Sequence, residues 1–343
     1  MRIQELRLVT LTLLTAVVVC GGCSLDSGSS KTPIDQGQQP AADVRSTAPN
    51  EGLTGGPAFA AAAKEALPRV APGEYEGLRN VFALSANIIT GSEPTSAGLE
   101  VLKKLGVRTI ISVESRVPDA DTARSLGMRY VHLPIQYKTI TDEEVARLTK
   151  TFRECEAPFF LHCFHGKHRG PAAAAIGRRA LDGVNPARAI AEMRQWAGTA
   201  PDYEGLYKAV LTKEIPSAAA TRALAFDFPA ADLPQGIAAW MSRIERMNDA
   251  LRKMAAHEWR VDPRHPDLTP LEAARNLAEL TAADWCQGDA PMSAGMSALK
   301  NDAIRASEAL VNILATGDNA SKSTAHKTLL ESCTACHKAY RNN

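Results

Sequence analysis

The chain has 343 residues, enough for two ordinary domains with further segments. Its 45% hydrophobic and 22% charged residues are those of a globular protein and exclude a collagen-like or wholly disordered chain. A formal net charge of +1, with no basic patch interleaved with aromatic residues, argues against nucleic acid as a partner.

Arg2 and Arg7 precede or flank an almost wholly apolar run, Leu8–Val19. That run is short for a bilayer crossing and has the make-up of a signal-peptide core. It ends in Val19-Cys20-Gly21-Gly22-Cys23-Ser24, where small residues before a cysteine resemble the lipobox of bacterial lipoproteins. The resemblance implies a signal peptide over residues 1–23, with Cys23 as the lipid-bearing first residue of the mature chain. It also implies attachment to the membrane through that lipid anchor and a periplasmic location. Cys20 stands where the pattern prefers Leu or Val, and plain secretion after cleavage nearby is the alternative reading. Residues 24–75 are rich in Gly, Ser, Pro, Ala, Gln and Asp, which predicts a disordered linker with room for a short helix around 57–67.

From 76 to 216 the pattern alternates. A strand or hairpin over Val81–Thr90 is followed by a helix over Ser96–Leu105, a β-branched strand over Val107–Val113 and a helix over Ala120–Leu126. A strand at Tyr130–Pro134, a helix at Thr141–Cys155 and a strand at Phe159–Cys163 come next. Helices over Pro171–Leu181, Pro186–Trp196 and Tyr203–Glu214 complete the region. Such alternation predicts an α/β fold, a central mostly parallel sheet flanked by helices. Residues 217–234 are Ala-rich, carry Pro229 and Pro234, and read as a linker. Residues 235–343 read as an all-α four-helix bundle with helices near 235–257, 269–286, 293–315 and 322–341. The first of these carries an apolar seam of Trp240, Ile244, Met247, Leu251 and Met254.

His162-Cys163-Phe164-His165-Gly166-Lys167-His168-Arg169-Gly170 lies between a strand and a helix. A loop this tight turns successive N–H groups inward as an anion nest, and the following helix adds its positive N-terminal end. Arg169 can clamp two phosphoryl oxygens with its planar fork. Gly166 supplies a backbone conformation open to glycine, and the loop's donors favour a thiolate at Cys163. Phosphate binding is therefore assigned to Phe164, His165, Gly166, Lys167, His168 and Arg169.

H-C-x-x-G-x-x-R resembles the signature of protein tyrosine and dual-specificity phosphatases. Ile89-Thr-Gly-Ser-Glu-Pro94, the segment Leu102 to Ser112 and Tyr130-Val-His-Leu-Pro134 extend the likeness over about 76–215. It implies a cysteinyl-phosphate intermediate on Cys163, with Arg169 stabilising the transferring group. Two positions depart from the family pattern. Gly170 replaces the usual Ser or Thr that helps thiolate leave, and Gln136 stands where the family places its acidic general acid. Asp142 is the substitute acid; its other reading is a helix N-terminal residue placed by the dipole. Without an acid, aryl phosphates still react, because phenolates leave readily. Cys155 has two readings: a disulfide partner for Cys163, or a buried thiol at a helix end.

Cys333-Thr-Ala-Cys336-His337 is a c-type haem attachment sequence, with its three ligating residues at i, i+3 and i+4 on one helix face. The extended form Cys333-x-x-Cys336-His337-x-x-Tyr340-Arg341 in the last bundle helix resembles the cytochrome c-prime family. That resemblance implies one covalent haem c with His337 as proximal ligand, Arg341 near the haem edge, a homodimer, and either a redox partner or a small gas ligand. Arg243-x-x-x-Met247 resembles that family's Arg and distal residue. Met247 is then either a sixth ligand or core filler on the seam.

Together these readings predict an exported c-type haem protein fused to a cysteine-dependent phosphatase for phosphotyrosine-like monoesters. The alternative is an electron-transfer or gas-binding cytochrome whose phosphatase-like domain only binds anions.

Overall fold

The computed structural model describes residues 54–233, 236–261, 268–286 and 292–340. The expectations for the signal peptide, Cys23 and Arg341 lie outside the described residues.

The sheet has six strands: β1 Gly73–Tyr75, β2 Leu78–Ala83, β3 Ile88–Ser92, β4 Thr109–Ser112, β5 Arg129–His132 and β6 Phe159–Cys163. Their spatial order is β1-β2-β3-β6-β4-β5. The β2–β3 pair is an antiparallel hairpin, and β3, β6, β4 and β5 then run parallel. Every residue of β3, β4 and β6 is buried, as expected of central strands covered on both faces. Because β6 sits between β3 and β4, the chain following Cys163 emerges within the sheet's C-terminal edge, where a loop has neighbours on both sides.

Helices cover the two faces. α1 Pro57–Ala61 belongs to the same side as α4 Asp142–Glu154, α5 Arg169–Leu181, α6 Pro186–Gln195 and α7 Glu204–Thr212. Their buried apolar residues join Ile88, Ile111, Val131 and Leu161 in one core. α2 Ser96–Lys104 and α3 Ala120–Ser125 serve the other side, against β2 and β5. Local chemistry sets several helix starts: Thr95 and Asp119 cap α2 and α3, Thr141 and Glu144 form a reciprocal capping box on α4, and Asn185 precedes Pro186 on α6. α5 begins at Arg169, two residues before the expected Pro171, because Pro is tolerated in a first turn whose N–H groups have no helical acceptor.

The folded region begins well before residue 76, which corrects the linker drawn to 75. Phe59 is 1% exposed, packs edge-on against Tyr207 at 5.3 Å, and lies under the Arg194 guanidinium at 4.0 Å. The N–H groups of Ala58 and Phe59 donate to the Glu204 carboxylate at 2.6 and 3.0 Å. The short helix expected around 57–67 is present as α1, and its burial makes it part of the core where a linker was expected.

Residues 217–233 are likewise not a free linker but a strap. α8 Ala218–Ala223 buries Thr221, whose carbonyl accepts from Lys150 and whose hydroxyl accepts from Arg153. Phe226 and Phe228 pack on the main core, and the Pro229 carbonyl accepts the His132 N–H at 2.8 Å along the β5 edge.

The C-terminal region is helical: α9 Ile237–Ala256, α10 Pro270–Ala282, α11 Ala294–Thr316 and α12 Asn319–Tyr340. α9 packs on α10, α10 on α11 and α11 on α12. Trp240, Ile244, Leu251, Leu277, Leu310 and Leu329 form their shared core. Trp259, just beyond α9, ties that end to α12: its Nε1 donates to Ser323 at 3.1 Å and its ring meets His326 edge-on at 5.5 Å. Among the described residues, no helix is long and apolar enough to cross a membrane.

Candidate active site

β6 ends at Cys163, which is register-paired with Ser92 of β3, and α5 starts at Arg169. The five residues between them turn sharply at Gly166, whose φ is +71°. A Cβ there would lie 2.2 Å from the Gly91 carbonyl carbon, so the loop's close approach to β3 requires glycine twice over. The Phe164 carbonyl accepts the Glu93 N–H at 3.1 Å, and the His165 carbonyl accepts from the Asn80 amide at 2.8 Å. The loop is therefore anchored to the β2–β3 hairpin.

Arg169 is buried, and its guanidinium donates to a Glu114 carboxylate oxygen and to the Tyr137 hydroxyl at 3.1 Å. The cation also lies 4.2 Å over the Tyr137 ring. The same Glu114 oxygen accepts the Phe164 N–H at 3.2 Å, and its other oxygen accepts the Ser115 N–H at 2.7 Å. Burial alone pushes the Glu114 carboxyl up, but Arg169 and these N–H donors bring it below its ordinary value. Arg169 shows the complementary result: burial alone lowers its pKa, and Glu114 more than reverses this. Both groups are held charged.

Under the loop, His162 is fully buried, with Nε2 2.5 Å from the Tyr130 hydroxyl and its ring stacked on Phe160. Burial pushes it down to about 3, so the imidazole is neutral and acts as a support.

The structure gives the loop's basic residues three different settings. Lys167 is exposed, while its carbonyl accepts the Thr199 hydroxyl at 2.6 Å. His168 is buried, 4.1 Å from the Tyr203 ring. His165 faces Glu272 at the start of α10, at 3.5 Å. Asp142, the expected acid, occupies the first position of α4, is 86% exposed, and pairs with Lys213 at 2.8 Å. Its partner belongs to the α7 end, not to the Cys163 loop.

Cys155 and Cys163 are both unpaired. Cys155 caps α4 before β6 begins and sits 3.5 Å from Arg129, whereas Cys163 ends β6. The strand separates them, which decides for the helix-end reading. Sequence reasoning missed Glu114, Tyr137 and His132. The signal for Glu114 was a lone acid directly after the apolar run Val107–Val113, facing the loop across the sheet edge.

Residues 74–204 match the model of a family described as "DSP-PTPase phosphatase fused to NAD+ Kinase". The N-terminal region resembles a dual-specificity phosphatase. "Dual specificity protein phosphatase TpbA" of Pseudomonas aeruginosa strain UCBPP-PA14 is 29% identical over 150 residues, covering 42% of this chain and 66% of the relative. TpbA of the PAO1 strain is 27% identical over 119 residues, 34% of this chain and 53% of the relative. The chain thus spans between about half and two-thirds of the length of these relatives. Among solved structures, P. aeruginosa TpbA in complex with pTyr aligns with a TM-score of 0.36 at 22% identity, over 43% of this chain and 91% of that one. Human DUSP28 aligns with a TM-score of 0.32 at 17% identity, over 41% and 94%.

Cys333, Cys336 and His337, the residues expected to attach a haem, lie near the end of α12. Cys333, Cys336 and His337 are half-buried, while Thr334, Ala335 and Lys338 are exposed, so the three share the inward side. Both thiols are unpaired, and burial raises both pKa values. The charge of Glu245 on α9 reaches Cys333, and Met247 packs in the same apolar cluster as Cys333. Among the described residues no three His, Cys, Asp or Glu side chains are grouped to hold a bare metal ion. Two free thiols one turn apart beside an imidazole suit thioether attachment of a haem, and the donor set fits that group. Arg243 is engaged by Asp232: its guanidinium donates to the Asp232 carboxylate and carbonyl at 2.9 and 3.1 Å. Met247 also lines a cavity of about 230 Å³ with Trp240, Arg243 and the Ser115–Val117 segment.

Proposed function

We propose that the chain is an exported, lipid-anchored c-type haem protein. Its phosphatase domain hydrolyses phosphotyrosine-like monoesters through a phosphoenzyme on Cys163. The observation that carries the phosphatase reading is the buried Arg169, held charged by Glu114 beside the loop that Cys163 opens.

In the first step the Cys163 thiolate attacks phosphorus, a P–S bond forms, and the P–O bond to the leaving phenolate breaks. Water then attacks the cysteinyl phosphate, releasing inorganic phosphate and the thiolate. The loop N–H groups and the Arg169 fork hold the non-bridging oxygens through both steps. A phenolate leaves without full protonation, which suits a chain whose Asp142 is engaged by Lys213.

Cys333 and Cys336 would hold the haem as thioethers and His337 would ligate its iron, with Met247 as a candidate sixth ligand. The bound group supplies an iron centre for one-electron exchange with a redox partner or for a small gas ligand.

The anion-binding reading of the first domain is favoured by Gly170, which leaves no hydroxyl to assist thiolate departure. The deciding test is aryl-phosphate hydrolysis by the haem-loaded chain beside Cys163→Ser. Turnover dependent on Cys163 is expected, and its absence in reduced and oxidised protein alike leaves anion binding alone. For the haem, Cys333→Ala with Cys336→Ala should lose the colour that survives denaturing electrophoresis.

A further inference from the structure

Between α9 and the Cys163 loop runs an unbroken line of hydrogen bonds. Arg243 on α9 grips residue 232 at two points, donating to its carboxylate at 2.9 Å and its carbonyl at 3.1 Å. The Asp232 N–H donates to His132 Nδ1 at 2.9 Å. His132 Nε2 in turn donates to the Glu114 carbonyl at 2.7 Å. Glu114 then takes the Phe164 N–H and the Arg169 guanidinium on one carboxylate oxygen.

We propose that Asp232 and Arg243, which lie outside the phosphatase-like domain, are positioning residues for its oxyanion loop and act through His132 and Glu114. Physical chemistry gives each link its direction. An imidazole whose Nδ1 accepts a main-chain N–H carries its proton on Nε2. That tautomer alone can donate to the Glu114 carbonyl; the other would set a lone pair against it. Burial keeps His132 below the ordinary histidine value, in keeping with a neutral ring satisfied at both nitrogens.

Glu114 sits one residue beyond Val113, past the end of β4, and the ladder to β5 has stopped at Ser112. The His132 bond holds its carbonyl, beside the Glu114 N–H that donates to Ser112 Oγ at 3.4 Å and the Ile135 N–H that donates to the Val113 carbonyl at 3.3 Å, and a main chain held at both groups helps to aim the carboxylate. The strap holding Asp232 takes its grip from α9, so the helical region completes the loop's support. Two further ties run alongside: Glu279 of α10 pairs with Arg116 at 2.5 Å, and Glu272 faces His165 at 3.5 Å.

This rests on the Cys163 loop binding an oxyanion, as the proposed function requires. The test uses the full haem-loaded chain and measures two things: kcat and KM for an aryl phosphate, and the inhibition constant of inorganic phosphate. Arg243→Ala should weaken phosphate binding and lower kcat/KM about three- to tenfold, with part restored in Arg243→Lys. In a His132→Asn background, Arg243→Ala should add little, because the line is already cut. Arg252→Ala, on an exposed part of α9, serves as the control and should leave both readouts unchanged. If the wild type is active and Arg243→Ala keeps both constants within about twofold, the positioning role is overturned. If no Cys163-dependent turnover occurs but equilibrium phosphate binding still falls in Arg243→Ala, positioning stands and the catalytic reading fails. A wild-type loop that binds no phosphate defeats both.

Discussion

Glu114 and Arg169 form an ion pair in which neither side chain is more than 6% exposed, and the glutamate also receives the first N–H of the loop after Cys163. A buried pair of this kind is not in itself a large source of stability, but removing one member leaves the other charged and dry. Glu114→Ala should therefore cost about 3 kcal/mol or more in urea unfolding. Glu114→Gln, which keeps the shape and an acceptor, should cost less while still weakening phosphate binding. Equal stabilities for the two variants would show that the lost charge, and not the shape or the acceptor, accounts for the cost.

Acid should destabilise the phosphatase-like domain earlier than carboxylate titration alone would suggest. His162 is held down at about 3 by burial, and His132 is lowered by the same cause. An unfolded chain takes up protons on both below about pH 6.5, while the native state takes up fewer, so stability falls as pH falls through that range. His162 alone contributes a slope of about 1.4 kcal/mol per pH unit until its folded value is reached. Glu114, whose pKa is lowered, adds a loss in the same direction once pH falls below its ordinary value of 4.5. Urea midpoints between about pH 7 and pH 5 should show this fall, with a shallower slope in His162→Asn.

Phe59 ties the segment before the sheet to α7. Phe59→Ala removes a side chain that is 1% exposed together with its contacts to Tyr207 and Arg194. Thermal or urea unfolding should register a loss of about 3 kcal/mol. A neutral result would mean that the segment adds nothing to the core it touches.

Gly170 follows the loop arginine at a place where a Cβ would lie 3.0 Å from the Cys163 nitrogen. Two His162 main-chain carbons lie 3.2 and 3.3 Å from the same position, so Gly170→Ser requires the end of β6 to yield by a few tenths of an ångström while it supplies the missing hydroxyl. If hydrolysis of the cysteinyl phosphate limits turnover, kcat and KM should rise together severalfold with kcat/KM little changed, and the pre-steady-state burst should shrink. An unchanged burst would place the slow step elsewhere.

The motif positions were legible because their meaning is local. Cys163, Gly166 and Arg169 are fixed by one strand end, one turn and one helix start, and five residues of spacing suffice to define them. The alternation of strands and helices was equally plain, since burial on both faces of β3, β4 and β6 leaves continuous apolar runs. Two boundaries were not legible. Phe59 and the strap around Asp232 fall in stretches whose average composition is that of a linker, and they become structure only through partners more than a hundred residues away in the case of Glu204, and exactly that far for His132.

Spacing and periodicity determined the strand–loop–helix run from Cys163 to Arg169, the helical phase of Cys333, Cys336 and His337, and the α/β-then-helical order, because each depends on residues close together along the chain. The tertiary fold decided which acid meets Arg169, that Asp142 pairs with Lys213, that Cys155 and Cys163 stand apart, and that Arg243 turns toward Asp232. Those pairings join distant segments through side chains whose choice of partner depends on burial and direction, and neither quantity exists until the sheet order β3-β6-β4-β5 has been set.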